Sequence, residues 1–107
     1  MDARNAFAVT TVRADNEVTI RASGDLEFSV TRELVRAIES AVDDSVTTVV
    51  LDCEQVTFID SEILKVLIAA RRKLHLQGKT FMLGKCSKPV MRVLTLLGIQ
   101  PQLGCLS

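Results

Sequence analysis

The stretch TTVVLDCEQVTFIDSEILKVL (residues 47–67) joins two hydrophobic patterns within one short segment. Its first part, up to Cys53, has consecutive apolar residues, which is typical of a strand that is covered on both faces. From Ser61 onwards, the apolar residues are spaced as in a helix. A buried strand that leads directly into a helix predicts an α/β fold with a parallel sheet, and we expect helices on both faces of that sheet.

The residues before this stretch predict a strand pair and a helix. Segments 7–13 and 18–23 alternate between apolar and polar residues, so they are predicted to be antiparallel strands with one solvated face. A turn is expected at Gly24-Asp25-Leu26, followed by a helix for which Ser29 is a candidate N-cap. This helix has one apolar stripe, formed by Val30, Leu34, Ile38, Ala41 and Val42.

The residues after the stretch complete one α/β domain. They predict a helix at 61–76, a strand at 80–84 and a helix at 88–97. The order ββ-α-β-α-β-α predicts a single domain over residues 1–107, with a mixed, mainly parallel sheet, an antiparallel N-terminal strand pair and packed helices. A short last strand is possible in the C-terminal GIQPQLGCLS.

Composition indicates a globular protein without a membrane segment. Of the 107 residues, 48% are hydrophobic and 24% are charged, as in ordinary soluble domains. No apolar run approaches the roughly 18 residues that span a bilayer, and the N-terminus lacks the pattern of a secretory signal. We therefore expect a cytoplasmic protein that does not insert into membranes.

The cysteines argue against a metal site. Cys53, Cys86 and Cys105 are an odd number without CxxC spacing, and the chain has one histidine, His75. No metal or other cofactor is expected. Two interpretations of the thiols remain: buried apolar residues in a reducing compartment, or a redox pair, which requires Cα atoms within about 7 Å. The candidate pairs are Cys86 with Cys53 or with Cys105, and Cys53 and Cys86 both follow apolar strand patterns that would bring them to one edge of the sheet.

Charge is distributed unevenly along a chain whose net charge is zero. Residues 1–64 contain all 13 acidic residues and 5 of the Lys and Arg residues, whereas residues 65–107 contain 8 basic residues and no acid. The asymmetry either steers a charged partner or partly cancels because the two halves interleave in the fold. Zero net charge and the lack of aromatic residues among the lysines argue against nucleic-acid binding.

Ser61 lies between Asp60 and Glu62, where the predicted strand meets the predicted helix. The residues allow two interpretations: an ordinary helix cap, or a phosphorylation site. A phosphate at this position would meet the unsatisfied N–H groups and the positive dipole end of the helix. It would add about −1.5 to −2 charges beside the two acids.

The predicted helix 61–76 is apolar over most of its surface. Ile63, Val66 and Ala70 lie outside the stripe needed to pack on the sheet, so they either form an exposed protein-binding patch or contact further neighbours. Enzymatic activity is not expected. The only histidine lies about 21 Å along the helix from Ser61, too far to act as its general base.

Taken together, ASGDLEF (22–28), the stretch 47–67 and CSKPVMRVLTLLGI (86–99) resemble the STAS domain family, specifically its anti-sigma factor antagonists. The resemblance covers about residues 7–103. It implies a monomer or weak dimer that binds an anti-sigma factor that is also a serine kinase, and that dissociates once Ser61 is phosphorylated. It makes Asp25, Glu27 and Asp60 candidate partner-binding residues. From their position beside Ser61 and on the apolar helix surface, Glu62, Ile63 and Val66 are further candidates.

The sequence departs from the family pattern directly after the serine. The family usually continues Asp-Ser-Ser/Thr-Gly-Leu-Gly, whereas this chain has Glu62, Ile63 and Lys65 at the positions of the second hydroxyl residue and the two glycines. These departures favour an alternative function: a STAS module that is not phosphorylated, acting as a subunit of an ABC-type lipid transporter or as a stressosome-like scaffold.

Overall fold

The computed structural model describes residues 5–99 and confirms the predicted order of elements. The strands are β1 (Ala8–Ala14), β2 (Glu17–Leu26), β3 (Thr48–Ile59) and β4 (Thr80–Cys86), and the helices are α1 (Thr31–Ala41), α2 (Ser61–Leu76) and α3 (Lys88–Leu97). A short 3-10 turn at Phe28–Val30 precedes α1. The prediction of a short last strand and any role of Cys105 lie outside the described residues.

The four strands form one mixed sheet in the order β1-β2-β3-β4. β1 pairs with β2 antiparallel, and β2, β3 and β4 run parallel. The predicted fold class is therefore confirmed. Since β2, β3 and β4 follow one another in a single direction across the sheet, right-handed crossovers place both connecting helices on the same face.

The prediction of helices on both faces of the sheet is wrong. Along β3, the buried Val49, Leu51 and Cys53 alternate with the half-buried Val50 and Asp52. The buried set joins residues of α1, α2 and α3 in one core. The consecutive apolar residues suggested two covered faces, but the direction of the crossovers leaves one face without a described helix.

Two local predictions around the end of β2 are also wrong. The Gly24-Asp25-Leu26 segment is part of β2 instead of a turn, and Gly24, with φ +81°, lies at a shift in the β2–β3 register. Ser29 is not an N-cap, because α1 begins at Thr31 after the 3-10 turn. The Ser29 hydroxyl instead donates to the carboxylate of Glu27 (3.3 Å).

Each of the helices α1 and α3 buries two apolar residues, and those of α1 belong to its predicted stripe. Leu34 and Ile38 of α1 are buried, and so are Val90 and Leu94 of α3. Each such side chain contributes about 1.5–3 kcal/mol by leaving water. The predicted end of α3 at Gly98 is confirmed, since this residue adopts the left-handed conformation (φ +66°) that glycine tolerates best.

The acidic and basic halves of the chain interleave. Lys73 of α2 pairs with Glu39 of α1 (3.6 Å), and Lys85 of β4 pairs with Glu54 of β3 (3.8 Å). The charge asymmetry seen along the sequence is therefore partly cancelled in space. None of the helices formed by residues 5–99 has the length and hydrophobicity needed to cross a membrane.

Candidate functional site

The candidate site forms where the end of β2, the end of β3 and the start of α2 meet. The amide of Asp60 donates to the carbonyl oxygen of Leu26 (3.2 Å), which joins the two strand ends. Carboxyl ends of parallel strands and helix N-termini are the usual location of functional groups in α/β folds. Ser61, the predicted phosphorylation site, is the first residue of α2.

Asp60 uses its whole carboxylate to hold this junction together. Oδ1 accepts a hydrogen bond from the amide of Ile63 (2.9 Å), which caps α2, and Oδ2 accepts one from the amide of Phe28 (2.9 Å). Asp60 was predicted as a partner contact, but both oxygens already bind main-chain donors. These two hydrogen bonds position Ser61 and Phe28, and the partner contact of Asp60 stays a prediction.

Ser61 is exposed at the N-terminus of α2, and its hydroxyl makes no hydrogen bond with any described residue. In the first turn, the amides of Ile63 and Leu64 bind Asp60. The amides of Ser61 and Glu62 have no acceptor within the described part of the chain. A phosphate on Ser61 would thus find two N–H donors and the positive end of the helix dipole.

Glu62 follows Ser61 on the exposed surface, as expected of a partner contact. Its carboxylate lies 3.3 Å from the ammonium of Lys65, one helical turn away. Both side chains are exposed, so this pair contributes little to stability. It partly compensates the negative charge beside Ser61.

Of the two alternatives for Ile63, an exposed binding patch or contact with further neighbours, the second holds, because its side chain is 0% exposed. Ile63 is therefore not a surface contact for a partner in this structure. α2 contacts both β4 and α1, so its buried surface is wider than one stripe. Val66 and Ala70 are half-buried and line a groove of about 460 Å³ between α1 and α2. We call this the α1–α2 groove.

Asp25 and Glu27 lie beside the junction and are both half-buried. Asp25 accepts hydrogen bonds from the hydroxyl of Thr57 (2.6 Å) and the amide of Asn5 (3.2 Å). Its own amide donates to the carbonyl oxygen of Asn5 (3.0 Å). Asp25 therefore ties the N-terminal segment to the end of β3, in addition to its predicted role as a partner contact.

Two aromatic residues complete the site and were not predicted. Phe28 is 60% exposed and Phe58 is 47% exposed, although large apolar side chains are usually buried. Phe28 is held through its amide by Asp60, and Phe58 pairs with Asp25 in the β2–β3 ladder. They place apolar surface beside the acidic groups of the junction, as in protein-binding sites.

The exposure of Phe58 results from an irregularity in β3. Gly24 pairs with Val56 and Asp25 with Phe58, so Thr57 is an extra residue that has no counterpart in β2. This bulge reverses the expected alternation, and Val56 and Ile59 are buried while Phe58 faces outwards. The sequence signal was the spacing of apolar residues 56, 58 and 59, which no regular strand can place on one face.

No metal cluster accompanies the site: within residues 5–99, His, Cys, Asp and Glu side chains do not form groups that could hold an ion. His75 lies at the opposite end of α2 from Ser61. What the junction offers is an exposed hydroxyl, two available amides, acidic groups and two aromatic rings. These features suit modification and protein binding.

A comparison with protein families matches residues 9–104 to the family described as "Mlab, STAS domain". The chain belongs to the STAS domain family. The match spans the sheet, the helices and the whole candidate site.

Solved structures show the same fold at low sequence identity. An anti-sigma factor antagonist from Mycobacterium paratuberculosis has a TM-score of 0.83 at 24% identity, over 98% of this chain and 89% of that chain. The unphosphorylated anti-sigma factor antagonist SpoIIAA has a TM-score of 0.74 at 23% identity, over 95% and 89%. The phosphorylated form of SpoIIAA, a Bacillus cell fate determinant, has a TM-score of 0.68 at 22% identity, over 95% and 92%.

Proposed function

We propose that this STAS domain is an anti-sigma factor antagonist that binds an anti-sigma factor with serine kinase activity and is switched by phosphorylation of Ser61. The observation that carries the proposal is the exposed hydroxyl of Ser61 at the N-terminus of α2. Membership of the STAS family supports it, as does the likeness in fold to structures that are described as anti-sigma factor antagonists.

In the unphosphorylated state, the site offers a surface that is partly apolar and partly acidic. The exposed rings of Phe28 and Phe58 supply area that loses contact with water on binding. Glu62 supplies a negative charge at the rim, which suits a partner with basic residues around an apolar centre. Once bound, the anti-sigma factor would release its sigma factor. This STAS domain would perform no catalysis itself.

Phosphorylation would change this surface without unfolding it. The kinase would transfer the γ-phosphoryl group of ATP to Oγ of Ser61, with ADP as the leaving group. The phosphate would accept hydrogen bonds from the amides of Ser61 and Glu62, and would add about −1.5 to −2 charges next to Asp60 and Glu62. Desolvating that charge in the interface is unfavourable, so the partner would dissociate.

The proposal is tested by incubating the protein with its cognate kinase and ATP. Mass spectrometry should find one phosphate on Ser61, and none on the Ser61→Ala variant. Ser29→Ala is the matched control, because Ser29 is also exposed and lies near Glu27 in the same site. Equal phosphorylation of Ser61→Ala, or none on the natural protein, would refute the switch.

A second candidate function is favoured by the residues that follow Ser61. Glu62 already supplies a negative charge there, and Lys65 stands where the family usually has its second glycine. Together with the "Mlab" description of the matching family, this supports a module that is not phosphorylated, either a subunit of an ABC-type lipid transporter or a stressosome-like scaffold. Affinity purification that recovers a transporter ATPase instead of a kinase would favour it.

The remaining properties belong to the same proposal. We expect the protein to act in the cytoplasm as a monomer or weak dimer, without binding nucleic acid. Sedimentation at concentrations from about 1 µM to 1 mM, the range in which weak association becomes visible, checks the oligomeric state.

A further inference from the structure

The β3–β4 ladder ends in a pair of cysteines. Cys53 and Cys86 are direct partners in the parallel register, after a shift that follows the pair formed by Leu51 and Leu83. The amide of the next residue, Ser87, donates to the carbonyl oxygen of Cys53 (3.1 Å). Its hydroxyl donates to the carbonyl oxygen of Val56 (2.6 Å). The chain after Cys86 is therefore fixed against β3.

This register brings the two residues within the range of a disulfide. Adjacent strands lie about 4.8 Å apart, and disulfides join residues whose Cα atoms are about 4.4–6.8 Å apart. Cys53 belongs to the buried core, and Cys86 packs against that same core. The two side chains are thus on one side of the sheet, as a bond between them requires.

The two thiols differ in their access to solvent. Cys53 is fully buried, whereas Cys86 is half-buried, so Cys86 is the group that a soluble oxidant reaches. The Cys86 thiol donates to the carbonyl oxygen of Gly84 (3.5 Å) on its own strand. Because Cys86 is the more accessible of the two thiols, it reacts with the oxidant first, and Cys53 reacts second.

We propose that Cys53 and Cys86 form a reversible disulfide when the protein meets a low-molecular-weight disulfide such as oxidised glutathione. The Cys86 thiolate attacks one sulfur of glutathione disulfide, and one glutathione thiolate leaves. The Cys53 thiol attacks Sγ of Cys86 and passes its proton to the departing glutathione thiolate, which is released as the second glutathione. The two protein thiols are oxidised, and one glutathione disulfide is reduced to two glutathione molecules.

The bond would enclose the element that carries Ser61. The closed loop runs from Cys53 through the end of β3 and the whole of α2 to Cys86. A covalent link across such a loop restricts the unfolded chain, so the oxidised protein is more resistant to unfolding. The disulfide would thus stabilise the β3–α2–β4 unit under oxidising conditions. It is independent of whether Ser61 is phosphorylated.

Digestion with trypsin places each of the three cysteines in a different peptide. Cleavage after Lys and Arg places Cys53 in peptide 37–65, Cys86 in peptide 86–92 and Cys105 in peptide 93–107, because Pro89 protects the bond after Lys88. The full-length reduced protein is titrated with oxidised glutathione and analysed under non-reducing conditions. Cys86→Ser removes the proposed bond, and Cys105→Ser is the matched control that keeps it.

The natural protein and Cys105→Ser should lose the mass of two hydrogen atoms, join peptides 37–65 and 86–92, and gain about 5 °C or more in Tm. Dithiothreitol should reverse all three changes, and Cys86→Ser should show none of them. A bond that involves peptide 93–107, a stable glutathione adduct on Cys86, a disulfide-linked dimer, or no oxidation in excess oxidant would each overturn the proposal.

Discussion

The carboxylate of Asp60 accepts a hydrogen bond from the main-chain amide of Phe28, 32 residues earlier in the chain (2.9 Å). The other oxygen of the same carboxylate caps α2 at Ile63 (2.9 Å). One side chain therefore fixes both the start of the helix that presents Ser61 and the turn that presents Phe28. The geometry of the candidate site depends on this residue more than on any contact made by Ser61.

We predict that Asp60→Ala destabilises the protein by about 2.5–4 kcal/mol. The change removes an N-cap, worth about 1 kcal/mol, and a second hydrogen bond to a charged acceptor, worth about 1.5–3 kcal/mol. Asp60→Asn should cost less, because its amide oxygen can still cap α2. Urea unfolding measures the difference. Glu62→Ala is the control and should cost under about 0.5 kcal/mol, since its bond to Lys65 is exposed.

Gly24 and Gly78 provide a second, matched comparison. Both have positive φ, but a Cβ on Gly24 would lie 2.0 Å from the carbonyl oxygen of Ala6, whereas a Cβ on Gly78 would meet nothing within 4 Å. Gly78→Ala should therefore cost only the conformational strain, about 1–2 kcal/mol. Gly24→Ala should cost about 2–4 kcal/mol, because the N-terminal segment must also move. Equal losses in urea unfolding would contradict the contact with Ala6.

Ile63 and Val66 allow a core residue to be compared with a residue of the α1–α2 groove on the same helix. Ile63 is fully buried, so Ile63→Ala should destabilise the protein by about 2–5 kcal/mol. Val66 is half-buried beside the α1–α2 groove, so Val66→Ala should cost about 1 kcal/mol. Thermal unfolding followed by circular dichroism measures both. A small effect of Ile63→Ala would mean that this side chain is available to partners after all.

The parts of the fold that depend on local sequence were predictable. The Asp60-Ser61 boundary of α2 and the glycine at the end of α3 follow from capping and backbone conformation, which involve only neighbouring residues. The order of elements also followed from the periodicity of apolar residues. These signals placed Ser61 at an exposed helix start.

The remaining features depend on contacts between distant segments. The exposure of Phe58 requires the bulge at Thr57, which is defined only by pairing with β2. The burial of Ile63 depends on α1, which widens the buried surface of α2. The half-buried state of Val50 depends on the direction of the crossovers. Periodicity within one segment contains none of this information.

The pH dependence of stability should reveal the contacts of Asp43, which lies at the opposite end of the sheet from Ser61. The Ser45 hydroxyl (2.6 Å), followed by the guanidinium of Arg13 (2.7 Å), holds the pKa of Asp43 well below its usual range. A carboxylate whose pKa is lowered by folding stabilises the protein above its unfolded pKa of about 3.9. That contribution is lost as the pH falls through the lower folded value.

Asp43→Asn should consequently flatten the acid dependence of Tm. Between about pH 5 and pH 2, the Tm of the natural protein should fall more steeply than that of the variant, and the two curves should converge at the acid end. The effect is small because Asp43 is exposed and solvent screens its interactions. Parallel curves over this range would show that the contacts with Ser45 and Arg13 do not persist in solution.

Phe58 tests the proposed binding surface separately from the phosphorylation of Ser61. Because about half of its side chain is exposed beside the junction, Phe58→Ser should lower the free energy of unfolding by only about 1–2 kcal/mol and leave the domain folded. An aromatic residue at the centre of an interface is commonly worth about 2 kcal/mol, so affinity for the cognate kinase should fall about 30-fold. Calorimetry measures the affinity. The control is Leu76→Ser at the far end of α2, where an equally apolar side chain is 81% exposed. Equal loss of affinity in both variants would place the partner elsewhere on the domain.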